Sequence, residues 1–358
     1  MRIAARSTGG VAGRAKRVLF ACAATILSAA SIALLFLGVD AYLHSRVQND
    51  GGVNVWGYRG PTIGRKAANE IRVAVLGGST AFGYGVHWNE SFPYYLQMLL
   101  NEDARNRRYG VVNLGAPGQG AFGFRFDLAD YAYLRYDVAI LYEGYNDLGD
   151  TDLPNAVPPR DSVNNLLWRR QSPVFRATGY MPVLPLVFRE KAMQLRSGGQ
   201  LDAAYRGRVV FKPGLAARAS ADALQTAAAI AESVGNVVGR LTGDAALAAQ
   251  AAALDTKSWR HYTDNVIAAV RFARAHGVKV VVVTQPYASQ AHIAQQRALS
   301  DALKSAFGDD AEVKYVNLGT AVDLRDQSIA YDGLHLVASG NERIARGLVA
   351  PVRELTSR

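Results

Sequence analysis

The 358-residue chain has little cysteine: its only one is Cys22, so no disulfide can form within the chain. Its His, Cys, Asp and Glu residues do not show the spacing of a zinc site, and we expect no metal and no other cofactor. The glycine-rich segment 71–85 lacks both G-x-G-x-x-G and a Gly-Lys-Ser/Thr phosphate loop. These absences argue against a disulfide-stabilised domain and a zinc hydrolase, and against nucleotide binding at this segment.

Acidic residues are absent from the first 17 residues, and residues 18–39 carry no charge of either sign. At about 1.5 Å per residue, a run of this length spans roughly the 30 Å of bilayer hydrocarbon. The pattern predicts a cytoplasmic basic tail over 1–17, a transmembrane anchor over 18–39 and an extracytoplasmic body. A cleaved signal peptide is the alternative, since residues 28–31 are small, but the apolar run continues beyond them to Leu37.

The remaining composition, 49% hydrophobic and 20% charged, is typical of a folded globular protein. We expect a membrane-proximal connector over 40–70 and one domain over 71–358, with a mainly helical insertion at 148–256. The net charge of +10 lies largely in the tail and in this insertion. We therefore expect no nucleic-acid partner, and the basic insertion either contacts anionic lipid or acidic polysaccharide or is simply a solvated surface.

Strand and helix patterns alternate outside the insertion, which predicts a three-layer α/β/α domain with a parallel sheet of about five strands. The predicted strands are 73–77, 111–115, 137–142, 278–284 and 313–318. The predicted helices are 92–106, 127–134, 258–276, 290–307 and 338–355.

Ser79 follows the first predicted strand directly, after the glycine pair Gly77 and Gly78. Such a turn presents a serine at the carboxyl end of a strand, where open α/β sheets bind their ligands. The segment nearly matches the G-x-S-x-G nucleophile elbow, with Ala81 in place of the last glycine. A serine that merely caps a helix is the alternative.

Four short segments place polar groups at what should be one edge of the sheet: Ser79, Gly118, Asn146, and Asp332 with His335. Ser79 as a nucleophile requires a base, and His335, oriented by Asp332 three residues earlier, is suited to that role. The Ser79 and Gly118 N–H groups and the Asn146 amide would form an oxyanion hole. A turn glycine and an Asx-turn are the alternatives for Gly118 and Asn146.

The other histidines are less suited to the role of base. We expect His87 on the outer side of its loop, and His261, His276 and His292 on helices in surface positions.

In these motifs the chain resembles the SGNH hydrolases, the GDSL-type esterases and lipases. The matching segments are LGGSTAFG with Ser79, NLGAPGQG with Gly118, GYND with Asn146, and DGLH with Asp332 and His335. The aspartate that usually precedes the serine is replaced here by Gly78. The resemblance implies a membrane-anchored serine ester hydrolase that acts through an acyl-enzyme.

The resemblance also implies acyl substrates such as O-acetyl esters of envelope or exported carbohydrate, with a possible link to envelope polysaccharide machinery. Three alternatives stay open. The same residues would serve an O-acyltransferase to polysaccharide or a lipase, and the fold would also serve a non-catalytic glycan-binding protein.

Overall fold

The computed structural model describes residues 9–49, 53–148 (except 103, 105 and 106), 173–199, 212, 214–241 and 259–357. Helix α1, Gly9–Asn49, is 41 residues long. Within it, Gly13–Arg46 is long and apolar enough to cross a membrane, as a single-pass anchor or a signal sequence would. The helix continues ten residues beyond the predicted span, through the first part of the predicted connector.

The centre of the body is a five-stranded, fully parallel sheet with the order β2-β1-β3-β4-β5, which confirms the predicted fold class. The strands are β1 Glu70–Gly77, β2 Arg108–Asn113, β3 Val138–Tyr142, β4 Lys279–Thr284 and β5 Val313–Asn317. The three central strands are buried on both faces, as their unbroken runs of β-branched and aliphatic residues indicate.

The remaining helices are α2 Ser79–Phe82, α3 Phe92–Glu102, α4 Phe124–Asp130, α5 Pro173–Thr178, α6 Leu184–Arg196, α7 Leu215–Leu241, α8 Arg260–Ala275, α9 Gln290–Phe307 and α10 Ala338–Thr356. Two apolar cores separate the layers. Ala74 and Leu76 of β1 pack in the core that contains Leu128 of α4, whereas Val73 and Val75 pack in the core that contains Ile344 of α10. This alternation along one strand is what a sheet covered on both faces requires.

Some predicted boundaries differ from the observed ones. Helix α3 spans Phe92–Glu102, and most of the predicted continuation over 103–106 lies outside the described residues. Helix α4 ends at Asp130, and a separate 3₁₀ turn follows over Ala132–Leu134. This turn ends at Arg135, which has a left-handed φ of 55° and therefore cannot continue a helix.

Three described helices, α5, α6 and α7, lie in the predicted insertion, and α1 contacts the segment that joins the first two. Asp40 of α1 is 4% exposed. Its carboxylate accepts hydrogen bonds from the N–H groups of Val183 (2.9 Å) and Leu184 (2.6 Å) and from the Tyr180 hydroxyl (2.5 Å). Because Leu184 begins α6, Asp40 satisfies the N-terminal N–H groups of that helix from outside it. The apolar helix and the insertion are thus joined through a buried carboxylate.

Arg59 joins the predicted connector to the loop that follows α2. Its side chain is buried and donates hydrogen bonds to the carbonyl oxygens of Phe82, Gly83 and Val86, at 2.6 Å for Gly83. Its guanidinium also lies 4.2 Å from the centre of the Phe82 ring. Burial lowers the pKa of Arg59 to about 10, which still leaves the side chain charged at neutral pH. The connector therefore supports the segment that carries Ser79.

Candidate active site

Ser79 lies at the carboxyl end of β1, as the first residue of the four-residue helix α2. The helix ends at Gly83, whose N–H donates to the Ser79 carbonyl oxygen at 3.0 Å. The short turn leaves Ser79 half-buried, with Thr80 and Ala81 buried beneath it. The hydroxyl therefore stands at the sheet edge where ligands bind in open α/β sheets.

An uninterrupted chain of hydrogen bonds joins Ser79, His335 and Asp332. His335 Nε2 is 2.8 Å from Ser79 Oγ, and His335 Nδ1 is 2.6 Å from Asp332 Oδ2. The structure thus brings together all three residues predicted to form the triad, although Ser79 and His335 are 256 positions apart in sequence.

The turn at 332–335 explains why an aspartate and a histidine three residues apart face each other. Asp332 Oδ1 accepts the N–H groups of Leu334 (3.0 Å) and His335 (2.8 Å), so the other oxygen is directed to the imidazole. Gly333, between them, has a φ of +83°, which favours glycine. One carboxylate therefore holds both the turn and the ring.

The pKa of Asp332 results from opposed effects. Partial burial alone would raise it, but hydrogen bonds from the His335 N–H, the His335 ring and the Leu334 N–H outweigh burial and lower it below its usual value. The carboxylate is therefore ionised at neutral pH, as an orienting partner for an imidazolium must be.

The two other predicted residues, Gly118 and Asn146, lie on neighbouring loops after β2 and β3. Gly118 is half-buried with a φ of +72°. Asn146 Nδ2 donates to the carbonyl oxygen of Gln119 at 3.0 Å, which ties the two loops together. The N–H of Leu148 donates to Tyr145, which is 3₁₀ geometry and not the Asx-turn considered for Asn146.

A buried carboxylate, Glu143, was not singled out from the sequence. It directly follows β3 and is 2% exposed. Oε2 accepts the N–H of Gly78 at 2.6 Å, and Oε1 accepts the N–H groups of Gly144 and Asn146, both at 2.9 Å. Burial raises the pKa of Glu143 to about 7, although these N–H groups and the Asn146 side chain act in the opposite direction.

Asp147 is a second buried carboxylate in the same loop, 1% exposed. Its Oδ2 accepts the N–H of Ala121 at 2.8 Å. Burial, and then the charge of Glu143, raise its pKa to about 8. Glu143 thus joins the Asn146 loop to the segment before Ser79, and Asp147 joins the same loop to the segment that follows Gly118.

Of the other histidines considered as bases, two are exposed as predicted and two are buried or half-buried. His87 is exposed, as expected for the outer side of its loop, and His276 is also exposed. His292 was expected at the surface, and this is wrong: it is completely buried against Tyr145, with ring centres 4.8 Å apart. Burial lowers its pKa to about 3, so it stays neutral. His261 is half-buried beside Phe122.

Aromatic side chains surround the outer side of His335. Tyr84 is 46% and Tyr331 41% exposed, and their ring centres lie 5.2 and 6.0 Å from that of His335. The Tyr331 hydroxyl donates to the Tyr84 carbonyl oxygen at 3.2 Å, which joins the two segments. Leu334, 37% exposed, adds an apolar surface beside them. The candidate site therefore opens onto an exposed aromatic rim.

Two further features bear on ligands. Among the described residues, no group of three or more His, Cys, Asp or Glu side chains could hold a metal ion. A cavity of about 780 Å³ lies elsewhere, at the amino ends of β1 and β3, where Arg72, Arg135 and Trp56 contribute to its walls. This cavity contains none of the hydrogen-bonded reactive groups that define the candidate site.

No protein-family model and no curated protein matches the chain. Among solved structures it is similar to a member of the lipolytic G-D-S-L family from Veillonella parvula, with 11% identity, a TM-score of 0.40, and coverage of 80% of this chain and 99% of the other. It is also similar to the acetylxylan esterase Axe2 from Geobacillus stearothermophilus, with 11% identity, a TM-score of 0.42, and coverage of 80% and 94%.

A third similar structure is that of TesA, with 12% identity, a TM-score of 0.43, and coverage of 79% and 99%. At these identities and TM-scores the similarities do not assign a substrate or a reaction to the chain, which have to be argued from its own residues.

Proposed function

We propose that the chain is a serine ester hydrolase that acts through an acyl-enzyme on Ser79. The observation that carries the proposal is the hydrogen-bonded series from Ser79 Oγ through both nitrogens of His335 to Asp332. Such a series is the arrangement that activates a hydroxyl of otherwise weak nucleophilicity.

In the proposed reaction, Ser79 Oγ attacks the ester carbonyl carbon while its proton passes to His335 Nε2. The tetrahedral intermediate then expels the alcohol oxygen, which takes that proton from His335, and the acyl group remains on Ser79. Water repeats the sequence: it loses a proton to His335, attacks the acyl carbon and releases the acid and the free hydroxyl of Ser79. Asp332 stabilises the imidazolium in both halves of the reaction.

The negative oxygen of the intermediate is assigned to the N–H groups of Ser79 and Gly118 and to the Asn146 amide. Ser79 begins α2, so its N–H has no acceptor within the helix. The Asn146 amide donates to the Gln119 carbonyl oxygen and also contacts the Glu143 carboxylate, and these contacts set its orientation before a substrate arrives, as a preorganised donor requires.

For the substrate class we favour O-acetyl esters of carbohydrate. The rim formed by Tyr84 and Tyr331 offers exposed aromatic faces beside the imidazole, and such faces suit the apolar surface of a sugar ring. An acetyl group needs little room next to Ser79, whereas a long acyl chain needs an extended apolar channel. The cavity of about 780 Å³ at the other edge of the sheet is lined by none of the proposed site residues.

The test uses the full-length chain in detergent with aryl acetate, aryl octanoate and acetylated oligosaccharide. We expect release of acetate from the aryl ester and from the oligosaccharide, and little hydrolysis of the octanoate. A serine-directed phosphonate should label the wild type and not Ser79→Ala. If the folded protein is neither acylated nor phosphonylated at pH 8, the catalytic proposal fails and glycan binding replaces it.

Transfer of the acyl group to a sugar hydroxyl is the second candidate, because the exposed rim would admit a second sugar as readily as water. The two reactions separate in one assay. Hydrolysis requires turnover of aryl acetate in water alone, whereas transfer requires an added oligosaccharide that becomes acetylated as the aryl alcohol is released.

We further propose that α1 remains uncleaved as a single-pass anchor with the body outside the cytoplasm. The basic residues before the apolar run support this orientation, and the buried contact of Asp40 with the insertion supports retention of the helix. A reporter active only outside the cytoplasm, fused after residue 60, should give signal, and the protein should resist salt extraction. A soluble product with a shortened amino terminus would instead identify a signal peptide.

A further inference from the structure

Glu143 joins two loops of the candidate active site, and the mechanism above gives it no role. We propose that Glu143 is a positioning residue: its carboxylate holds the segment before Ser79 and the loop of Asn146 in one fixed relation, and so aligns the nucleophile with the oxyanion hole. This inference rests on the proposed function, since alignment matters only if Ser79 is acylated.

The Glu143 carboxylate contacts both loops. The carboxylate accepts three backbone N–H groups, one from Gly78 and two from Gly144 and Asn146. Gly78 directly precedes Ser79, and Asn146 carries the proposed amide donor. One rigid, buried group thus sets the distance between the two sides of the oxyanion hole, where a displacement of about 1 Å is enough to cost roughly 10²-fold in rate.

The space beside Gly78 is occupied by neighbouring side chains. A Cβ atom on this residue would collide with Oε2 of Glu143 and with Nδ2 of Asn146. Glu143 and Asn146 therefore together occupy the space that a side chain at position 78 would need.

The donor character of the partners also selects a carboxylate at position 143. All three backbone partners are donors, so the group that meets them has to accept on both oxygens, which the carboxylate does in the ionised form that prevails above a pH of about 7. A glutamine of the same size would turn an NH₂ group toward an N–H donor and leave at least one buried N–H unsatisfied. Glu143→Gln therefore removes the positioning role of Glu143 with almost no change in side-chain volume.

The experiment compares Glu143→Gln, Glu143→Asp and the wild type in full-length protein, with aryl acetate turnover and phosphonate labelling as readouts. We expect Glu143→Gln to lower kcat and the labelling rate by about 10- to 100-fold with little change in KM, because alignment and not binding is lost. Glu143→Asp retains an acceptor on both oxygens and should recover part of the loss.

Leu348→Ala is the control for a general loss of stability. Leu348 is fully buried in α10, within the core that also contains Val73 and Val75 of β1, and it is not one of the proposed site residues. The change should destabilise by about 2–5 kcal/mol and leave kcat of the folded enzyme at the wild-type value. An equal fall in kcat in this variant would show that the assay reports stability, and would overturn the positioning role.

A double substitution tests whether residues 78 and 143 share one site. Gly78→Asp should be severely damaging in the wild type, because the new side chain meets Glu143 and brings a second negative charge. In a Glu143→Ala background the same change should cost less, because the introduced carboxylate no longer meets a second one, although its Cβ still displaces the Asn146 amide. Equal costs in both backgrounds would contradict the inference.

The outcomes separate this inference from the proposed function. If the wild type is acylated and Glu143→Gln is acylated equally fast, only the positioning role fails. If the wild type is not acylated at all, the proposed function fails, and hydrogen exchange decides the structural part. The N–H groups of Gly78, Gly144 and Asn146 should then exchange faster in Glu143→Gln than in Leu348→Ala, and equal protection would overturn it.

Discussion

Two carboxylates flank Ser79 at the same sheet edge, and their environments are opposite. Asp332 lies in an exposed turn, with its side chain 35% exposed, and its pKa is lowered by the groups that donate to it. Glu143 is buried behind the nucleophile, and its pKa is raised to about 7 although it accepts three N–H groups. The comparison teaches that donors alone do not set the charge state, because desolvation competes with them.

The difference also separates two tasks. A carboxylate that must stabilise a transient imidazolium has to be ionised throughout the reaction, which a turn open to water permits. A carboxylate that only holds backbone N–H groups benefits from burial, because water then does not compete for them. Substitutions at and around Ser79 test this division of roles between the two carboxylates.

Ser79→Ala should lower turnover by roughly 10⁴- to 10⁶-fold, because the nucleophile is removed. Adding His335→Ala should cost little more, since residues that act as one unit lose their effect together. The measurement is aryl acetate turnover by each single variant and by the double variant. Independent, multiplying losses would mean that the two residues do not act together.

Asp332→Asn should lower kcat by a factor on the order of 10³, less than either Ser79→Ala or His335→Ala. The amide retains the turn through its oxygen but no longer stabilises the imidazolium. Thermal unfolding should be compared with turnover, because the comparison of the two carboxylates assigns Asp332 mainly to the reaction. A large loss of stability with normal turnover would assign it to the turn alone.

Asn146→Ala should lower kcat by about 10²- to 10³-fold with little change in KM, which is the cost of one lost oxyanion donor. The backbone N–H of this residue donates to Glu143, and its side-chain amide donates to the Gln119 carbonyl oxygen. Kinetics and a thermal melt of the same sample check this expectation. Unchanged turnover with a lower melting temperature would limit Asn146 to joining the loops.

Glu143→Gln should flatten the pH dependence of stability between about pH 4.5 and 7. In this window the folded wild type keeps a proton that the unfolded chain has lost, so the free energy of unfolding falls as pH rises, by roughly 3 kcal/mol in total. Asp147 and the buried tyrosines Tyr142, Tyr145 and Tyr262 face the same region.

Denaturant unfolding at pH 5 and pH 8 measures this effect. Asp147 titrates in both proteins, and the charge of Glu143 contributes to its raised pKa, so the difference between wild type and Glu143→Gln reports Glu143 together with its effect on Asp147. Parallel curves for the two proteins would show that Glu143 keeps an ordinary pKa.

The sheet could be predicted from the sequence because its strands are unbroken apolar runs between turn residues. Strand β4, for instance, is visible as consecutive valines, and the predicted bounds of α9 agree with the observed ones. The proximity of Ser79, Asp332 and His335 also followed from a general rule, since each lies at the carboxyl edge of a parallel sheet. Their roles stay proposals until the variants are measured.

Glu143 and Arg59 were not predicted because their importance lies in backbone groups that they meet far along the chain. A glutamate at a strand end and an arginine in an irregular connector have no local pattern that distinguishes them from solvated charges. The burial of His292 was missed for a related reason. Its position on a helix is clear from the sequence, but the face that packs against Tyr145 depends on the assembled layers.

Arg59 connects the segment that follows the apolar helix α1 to the loop that follows Ser79. This residue follows the apolar helix by only ten positions, yet its guanidinium holds the carbonyl oxygens of the loop after Ser79. Proteolytic shedding by a cut after residue 59 would therefore release a body without the support of its own nucleophile segment. A cut before Val53 would release one that keeps it, so the location of cleavage determines whether a shed form is active.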